Sequence, residues 1–349
     1  MNDTQFSGNY CNKHQHQIDH RISRVSQVFI VIPVHNRAAF VERSVKSVLN
    51  QTYPFWKLVI VDDHSTDNSM DIIRDLAAND PRITCKTNSE FTHSAAGARK
   101  SGLLEMKGDF IAFLDSDDVW PNYHLAEFVN FLERKSQIDV IFGDLQRRNL
   151  DGSVVTSSKF KCENGLPKEL ISEEIEDYIV LKHRNVLKVA LDKRFTIGLQ
   201  SALFRRRVFE HLELRDEIKI GEDFVFTLEM ITVGFKLAAS RNIHIFYTIH
   251  NDNISGCNAS GNKAKSIKIS ENEIRLYQQW IPRFIELSSK ERRILKSCVS
   301  RIYVWNLANA IYRESGDRSA AMRCILKGIF FSPLNLRYWK SLFGTLIKG

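Results

Sequence analysis

Three runs of apolar, largely β-branched residues each break off into a polar cluster, and the stretches between them carry apolar side chains at helical spacing. Val28 to Val34, Leu58 to Val61 and Phe110 to Leu114 read as buried strands, with Ile83 to Cys85 as a further one. Ala39 to Leu49, Ser69 to Ala78 and Ala95 to Met106 read as the intervening helices, the second with Ser65, Thr66 or Asp67 as its N-cap. This alternation predicts a mostly parallel sheet with crossover helices, an α/β fold. Such sheets bind ligands beyond the carboxyl ends of their strands. The clusters fall there: His35-Asn36-Arg37, Asp62-Asp63-His64-Ser65 and Asp115-Ser116-Asp117-Asp118.

The 349 residues suffice for one large domain with an appendage, or two smaller ones. No apolar run approaches the roughly 18–20 residues needed to cross a bilayer. Residues 1–25 are polar and read as a loose leader; His14, His16 and His20 have no acidic or cysteine partner nearby that would make them a metal site. The leader lacks the apolar stretch of a secretory signal. Cys11, Cys85, Cys162, Cys257, Cys298 and Cys324 are scattered with no CxxC pair, which fits free thiols in a reducing compartment. The expected location is therefore cytoplasmic, with the inner face of the cell membrane open to it.

The net charge of +8 is unevenly placed. Residues 283–349 hold 13 Lys and Arg against 4 Asp and Glu, and the rest of the chain is close to neutral. A basic tail can meet lipid headgroups or phosphate, but no nucleic-acid-binding motif accompanies it. In the tail, Leu336, Trp339, Leu342, Phe343, Leu346 and Ile347 recur at helical spacing among Arg337, Lys340 and Lys348; Ile325, Leu326, Ile329 and Phe330 precede them. A basic amphipathic helix of this kind suits a bilayer interface, or packs its apolar side on the main domain. Between the two regions the pattern is weaker. Ile138 to Phe142 and Gly152 to Phe160 read as strands, Glu169 to Asp177 as an acidic surface helix, Phe195 to Arg205 as a returning strand, Phe224 to Ile231 as a helix, and Phe246 to His250 as the end of another strand.

Several residues carry candidate chemistry. Three carboxylates within Asp115 to Asp118 repel one another unless a cation intervenes, and oxygen ligands of this type suit Mg²⁺ or Mn²⁺ bound together with substrate phosphates. An acidic run also caps turns, here ahead of Pro121. Asp63 at a strand end can accept hydrogen bonds from a base or ribose, or cap a loop. Arg99 can pair with a phosphate or with the carboxylates. Glu222 and Asp223, after Gly221, can complement a helix dipole, or supply a general base. His250 can ligate a metal or contact a diphosphate, or be structural.

Taken in order, Val31 to Arg37, Ser47 to Tyr53, Val61 to Asp67, Asp115 to Asp118 and Gly221-Glu222-Asp223 resemble the family 2 glycosyltransferases over about residues 27–255. That resemblance implies a GT-A fold, Rossmann-like, over residues 26–260, with a basic, amphipathic helical extension over 261–349. It implies an inverting enzyme that moves a sugar from a nucleotide-sugar donor, a UDP-sugar above others, to a hydroxyl of a lipid-linked saccharide acceptor in cell-surface or exopolysaccharide synthesis. By the same resemblance Pro33, Val34 and Asn36 would line the nucleotide pocket, Asp63 would contact base or ribose, and Arg99 would stand near the diphosphate. Asp115-Ser116-Asp117 would be the DxD motif, with Asp117, Asp118 and His250 around a divalent metal (Mn²⁺ or Mg²⁺). Asp223 would be the base, with Glu222 beside it. His35 stands where Tyr is more usual, and Lys100 where Asn is frequent. Two other readings compete with this one. A sugar-nucleotidyltransferase would want a Gly-rich phosphate loop after the first strand, which Pro33-Val34-His35-Asn36 is not. A non-catalytic sugar- or lipid-binding module would have no need of both acidic sites.

Overall fold

The computed structural model describes residues 25–162, 166–182, 186–250, 253 and 263–347. The histidine-rich leader, Cys11 and Cys257 lie outside the described residues; Cys85, Cys298 and Cys324 are free thiols. Ten strands form one sheet: β1 (Val28–Val34), β2 (Trp56–Asp62), β3 (Ile83–Thr87), β4 (Phe110–Phe113), β5 (Val140–Asn149), β6 (Val154–Thr156), β7 (Ile171–Ile175), β8 (Tyr178–Leu181), β9 (Ala202–Arg205) and β10 (Leu237–Ile249). Their spatial order is β3-β2-β1-β4-β9-β5-β10-β8-β7, with β6 paired to β5. β3, β2, β1 and β4 run parallel, as do β5 and β10; β9 is antiparallel to both its neighbours.

Period-two alternation feeds two apolar layers. Val28, Ile30, Ile32 and Val34 of β1 face one side with Leu58 and Ile60 of β2, beneath α1 (Val41–Leu49), α2 (Ser69–Asn79) and α4 (His124–Arg134). Phe29 and Val31 face the other side with Val59 and Val61, beneath α3 (Ala95–Leu103). Three shorter helices follow: α5 (Lys159–Cys162), α6 (Val186–Lys193) and α7 (Arg207–His211), then α8 (Glu222–Val233). The extension comprises α9 (Lys263–Arg275), α10 (Ile281–Phe284), α11 (Ser289–Arg301), α12 (Arg318–Phe331) and α13 (Leu336–Ile347), with wider π-type turns at Leu276–Trp280 and Ile302–Arg313. Leu276, Ile281, Leu295 and Val299 pack into the α3-side layer, so the first part of the extension shares the core of the sheet. Ile325, Ile329, Tyr338 and Leu342 form a separate small cluster with Val304 and Ala308.

Several expectations are corrected. Residues 169–177 hold the edge strand β7, not a helix: Ile171 and Ile175 lie four apart, which puts them on one face of a strand as well as one face of a helix, and an edge strand tolerates the exposed Glu173 and Glu174 between them. The strand expected from Gly152 shrinks to β6, because α5 begins at Lys159, and that expected from Phe195 shrinks to β9. The N-cap position of α2 is Asn68, whose side chain makes no capping bond; Asp67 instead accepts from the Ser69 N–H at 3.0 Å.

Candidate active site

The parallel register sets Pro33 beside Val61 and Val34 beside Asp62, so the chain leaves β1 and β2 at the same level. The Asp63 N–H donates to the Val34 carbonyl at 2.7 Å, fixing the turn after β2. Its carboxylate is almost buried and accepts from Asn88 Nδ2 at 2.7 Å, with His93 Nδ1 3.7 Å away. His35 Nδ1 lies 2.7 Å from the Asp63 carbonyl oxygen. Pro33, Val34, His35, Asp63 and His93 all face the cleft. Asn36 does not: left-handed at φ 52°, it turns its carboxamide oxygen to the Thr66 N–H at 2.7 Å. Asp63, His64 and His93 also stand close enough together to hold a metal ion, although His64 Nε2 already contacts the Asn88 carbonyl at 2.6 Å.

After β4 the acidic run splits three ways. Asp115 accepts from Arg99 Nη2 at 2.5 Å, and Arg99 Nη1 reaches Glu222 at 3.3 Å. Arg99 is 4% exposed, so a buried cation ties the end of β4 to the start of α8. Asp117 Oδ2 accepts from Arg37 Nε at 3.1 Å and lies 3.0 Å from His250 Nε2. Asp118 turns inward, where its Oδ1 accepts from the Thr248 N–H at 3.0 Å while Oδ2 has no partner. Burial, then the charges of Asp117 and Asp115, push its carboxyl well above the usual range. Arg43 Nη2 adds a second tie, donating to the Asp117 carbonyl at 2.9 Å and to Thr248 Oγ1 at 2.6 Å. These bonds bring the end of β10, and with it His250, up to the acidic loop.

A carboxylate oxygen and an imidazole nitrogen 3.0 Å apart match neighbouring ligands on an ion with bonds of roughly 2.1 Å. A carboxylate with an imidazole suits Mn²⁺ better than Mg²⁺, which prefers oxygen ligands, and substrate phosphates would supply further oxygens. Asp118 is spent on β10 and stands behind that pair.

The third element is the start of α8. Gly221 is left-handed (φ 89°), and a Cβ there would come within 2.8 Å of the Leu276 side chain. The conformation and the close packing both call for glycine. It lets Glu222 and Asp223 occupy the first helical turn, where their charge suits the helix dipole. Asp223 Oδ1 accepts from the Phe224 N–H at 2.7 Å. Burial, then the Asp223 charge, raises Glu222 to about 7, against the pull of Arg99. Asp223 is raised by burial too, opposed by the Phe224 N–H and by Arg99, Lys159 and Arg194.

Pro33, Val34, Asp63, Arg99, Asp115, Ser116, Asp117, Glu222 and Asp223 thus line a single cleft of about 2190 Å³, with His250 on Asp117 and with Asn36 and Asp118 outside the lining. Sequence reasoning missed Asn88 as a partner of Asp63, and Arg43 and Thr248 as the clasp on the acidic loop. Arg37 was placed in a polar cluster but not given its carboxylate. None of these carries a local signature.

Comparison with known proteins agrees with this geometry. The family model for glycosyl transferase family 2 matches residues 29–212. A β-1,3-glucosyltransferase of Escherichia coli, WfaP, named for transfer from UDP-Glc to α-D-GlcNAc-diphosphoundecaprenol, is 27% identical over 250 residues, covering 71% of this chain and 85% of that protein. A poly(ribitol-phosphate) β-glucosyltransferase of Bacillus spizizenii is 26% identical over 65% of this chain but only 33% of its own. Among solved structures, the mannosyltransferase PcManGT of Pyrobaculum calidifontis with GDP-Man and Mn²⁺ superposes with a TM-score of 0.54 at 18% identity, covering 93% of this chain and 86% of that one. S. aureus TarS 1-349 with UDP-GlcNAc gives 0.53 at 16% identity, covering 86% and 81%. Sheet order, cleft and family model agree: the chain belongs to glycosyl transferase family 2 and has the GT-A fold.

Proposed function

We propose that this enzyme transfers a sugar from a UDP-sugar to a hydroxyl of a lipid-linked saccharide, with inversion, during synthesis of a cell-surface or exopolysaccharide. One observation carries the reading: Asp63, Asp117 and Asp223, far apart in sequence, line the same cleft. The names of the E. coli and B. spizizenii relatives, a UDP-Glc transferase to a diphosphoundecaprenol-linked sugar and a glucosyltransferase of a polymer, support the donor and acceptor classes.

In this reading Asp63, held by Asn88, accepts a hydrogen bond from the base or ribose. Asp117 and His250 hold the divalent ion, which when bound supplies positive charge to the departing diphosphate. Arg99 keeps Asp115 in place against the sugar end of the donor. Asp223 takes the proton of the acceptor hydroxyl as its oxygen bonds to the anomeric carbon, opposite the breaking bond to the diphosphate. The electron pair of that bond leaves with the diphosphate, and no covalent enzyme intermediate forms. Asp118 positions the end of β10 through the Thr248 N–H.

A thermal-shift and hydrolysis screen of UDP-, GDP- and dTDP-sugars with Mn²⁺ tests the donor class; stabilisation by none of them overturns the reading. Asp117→Asn is expected to remove the gain in UDP affinity that Mn²⁺ gives the wild type. Titration calorimetry with Mn²⁺ and with EDTA measures it, and an unchanged metal-dependent gain would remove Asp117 from the metal site.

The extension supports a membrane-surface role at the inner face of the cell membrane. Among the described residues no helix is long and apolar enough to cross a bilayer. The last two helices and the turn between them nevertheless leave Phe330 80%, Leu334 93% and Ile347 79% exposed, with Leu336 and Phe343 also bare and Arg337 and Lys340 among them. Apolar side chains beside basic ones match an anionic interface. The intact chain is expected to float with vesicles containing phosphatidylglycerol, and Phe330→Ser/Leu334→Ser/Phe343→Ser to stay behind. Equal flotation of both proteins would exclude this surface.

A further inference from the structure

The donor half of the cleft neutralises itself internally: Arg99 is matched by Asp115 and Glu222, and Arg37 by Asp117. The rest of the lining does not. Lys159 and Lys161 on α5, Lys168 just before β7, Lys193 at the end of α6 and Lys219 just before Gly221 all line the cavity that holds Asp223. None of the five has an ion-pair partner among the described residues. Of the two acidic residues in this part of the lining, Asp144 is engaged by the Ser158 hydroxyl and by the Phe160 N–H at 2.9 Å, and Glu169 is exposed, as are Lys161, Lys168, Lys193 and Lys219 at the cavity rim. Like charges gathered on one concave surface repel, and low-dielectric walls concentrate their field.

The wall adjoins the reacting end of the cleft. Lys159 and Arg194 lie close enough to Asp223 to act on its carboxylate. Arg194 is left-handed at φ 51°, a conformation that a side chain this long rarely adopts, and its guanidinium is tied to Glu273 of α9. The turn after α6 is therefore held in a strained form with Lys193 and Arg194 facing the cavity. Arg147, Arg241 and Arg275 line the same cavity. Several separate cationic groups suit a compact, multiply charged oxyanion.

We infer that this lysine wall is a phosphate-binding subsite for the acceptor, seating a phosphate ester next to the saccharide whose hydroxyl Asp223 deprotonates. The inference rests on the transferase reading above and adds to it the acceptor's chemical class. The subsite is separate from the donor diphosphate, which belongs with Asp117 and His250.

Titration calorimetry with inorganic pyrophosphate on the intact chain, saturated with UDP and Mg²⁺, tests it. The wild type is expected to bind one pyrophosphate, with affinity falling as ionic strength rises. Lys159→Ala/Lys193→Ala/Lys219→Ala is expected to weaken binding at least about tenfold, the scale of one lost charge-assisted contact. The corresponding triple arginine variant should retain it, and thermal melts check that both variants fold. Competition by octyl diphosphate and by a glycerol-phosphate oligomer separates the two sources of the group, a carrier-lipid diphosphate or a phosphodiester polymer. No pyrophosphate binding by the UDP-loaded wild type, or equal binding by the triple alanine variant, overturns the inference. A chain that binds no nucleotide at all overturns the transferase reading instead.

Discussion

Asp223→Asn is expected to lower the turnover of sugar transfer by about 10²- to 10⁴-fold, the usual contribution of a positioned general base. The dissociation constant for the UDP-sugar should hold, since the carboxamide keeps the shape and can still accept from the Phe224 N–H. A loss confined to turnover, with donor binding retained in calorimetry, identifies a group acting on the acceptor hydroxyl. Transfer at the wild-type rate would assign the proton to another residue. The same assignment fixes the pH dependence. A base must be unprotonated to act, so activity falls as pH drops through its folded value. Asp223 is raised from the ordinary carboxylate range and its neighbour Glu222 reaches about 7, so the acid limb should sit well above that of a free aspartate. Two adjacent carboxyls share their protons, and the limb belongs to the pair. Removing one negative charge makes it easier to hold the other, so Glu222→Gln should move the limb to lower pH. A limb that stays or rises would separate the two titrations.

The half of the fold that carries β1 to β4 was legible for a physical reason. Parallel strands covered on both faces must be apolar throughout, so β1, β2 and β4 stand out as unbroken runs, and each breaks where its chain emerges at the edge of the sheet. Asp63, Asp115 and Asp117 could therefore be placed at that edge before any coordinates. Residues 140–220 resisted because their strands are short, antiparallel or at the edge, where one face meets solvent and charges such as Glu173 and Glu174 are admitted. The lysine wall went unread for a related reason. A lone lysine on a short helix or loop signals only a solvated surface, and Lys159, Lys193 and Lys219 become a feature only when the fold brings them round one cavity. Clasps such as Arg43 on Thr248, 205 positions apart, leave no trace in local sequence.

Arg99→Met should be the most damaging single change to stability in the cleft. The guanidinium is buried and is the cation that both Asp115 and Glu222 contact. Methionine fills much of its volume, so the loss comes from charge and not from a cavity. Breaking a buried pair by removing one partner leaves an uncompensated ion and costs about 3–5 kcal/mol. For a chain of this size that is a fall in Tm on the order of 10 °C. The pH dependence separates charge from packing. Without the cation the folded value of Glu222, already about 7, rises further above its ordinary 4.5. The unfolded value is common to both proteins, so the difference between them follows the two folded values. The Glu222 part of the deficit should therefore be absent below about 7, where both folded proteins keep the carboxyl protonated, and grow as pH rises through 7, where only the wild type ionises it. In surviving activity the acid limb should shift to higher pH, because the attraction that favours the ionised pair is gone. Arg99→Lys keeps one charge but cannot span both carboxylates, so it should fall between the two. Melting curves of the three proteins across this range decide the matter: a Met variant with an unchanged Tm, or a deficit independent of pH, would mean that Arg99 is not the electrostatic tie between β4 and α8.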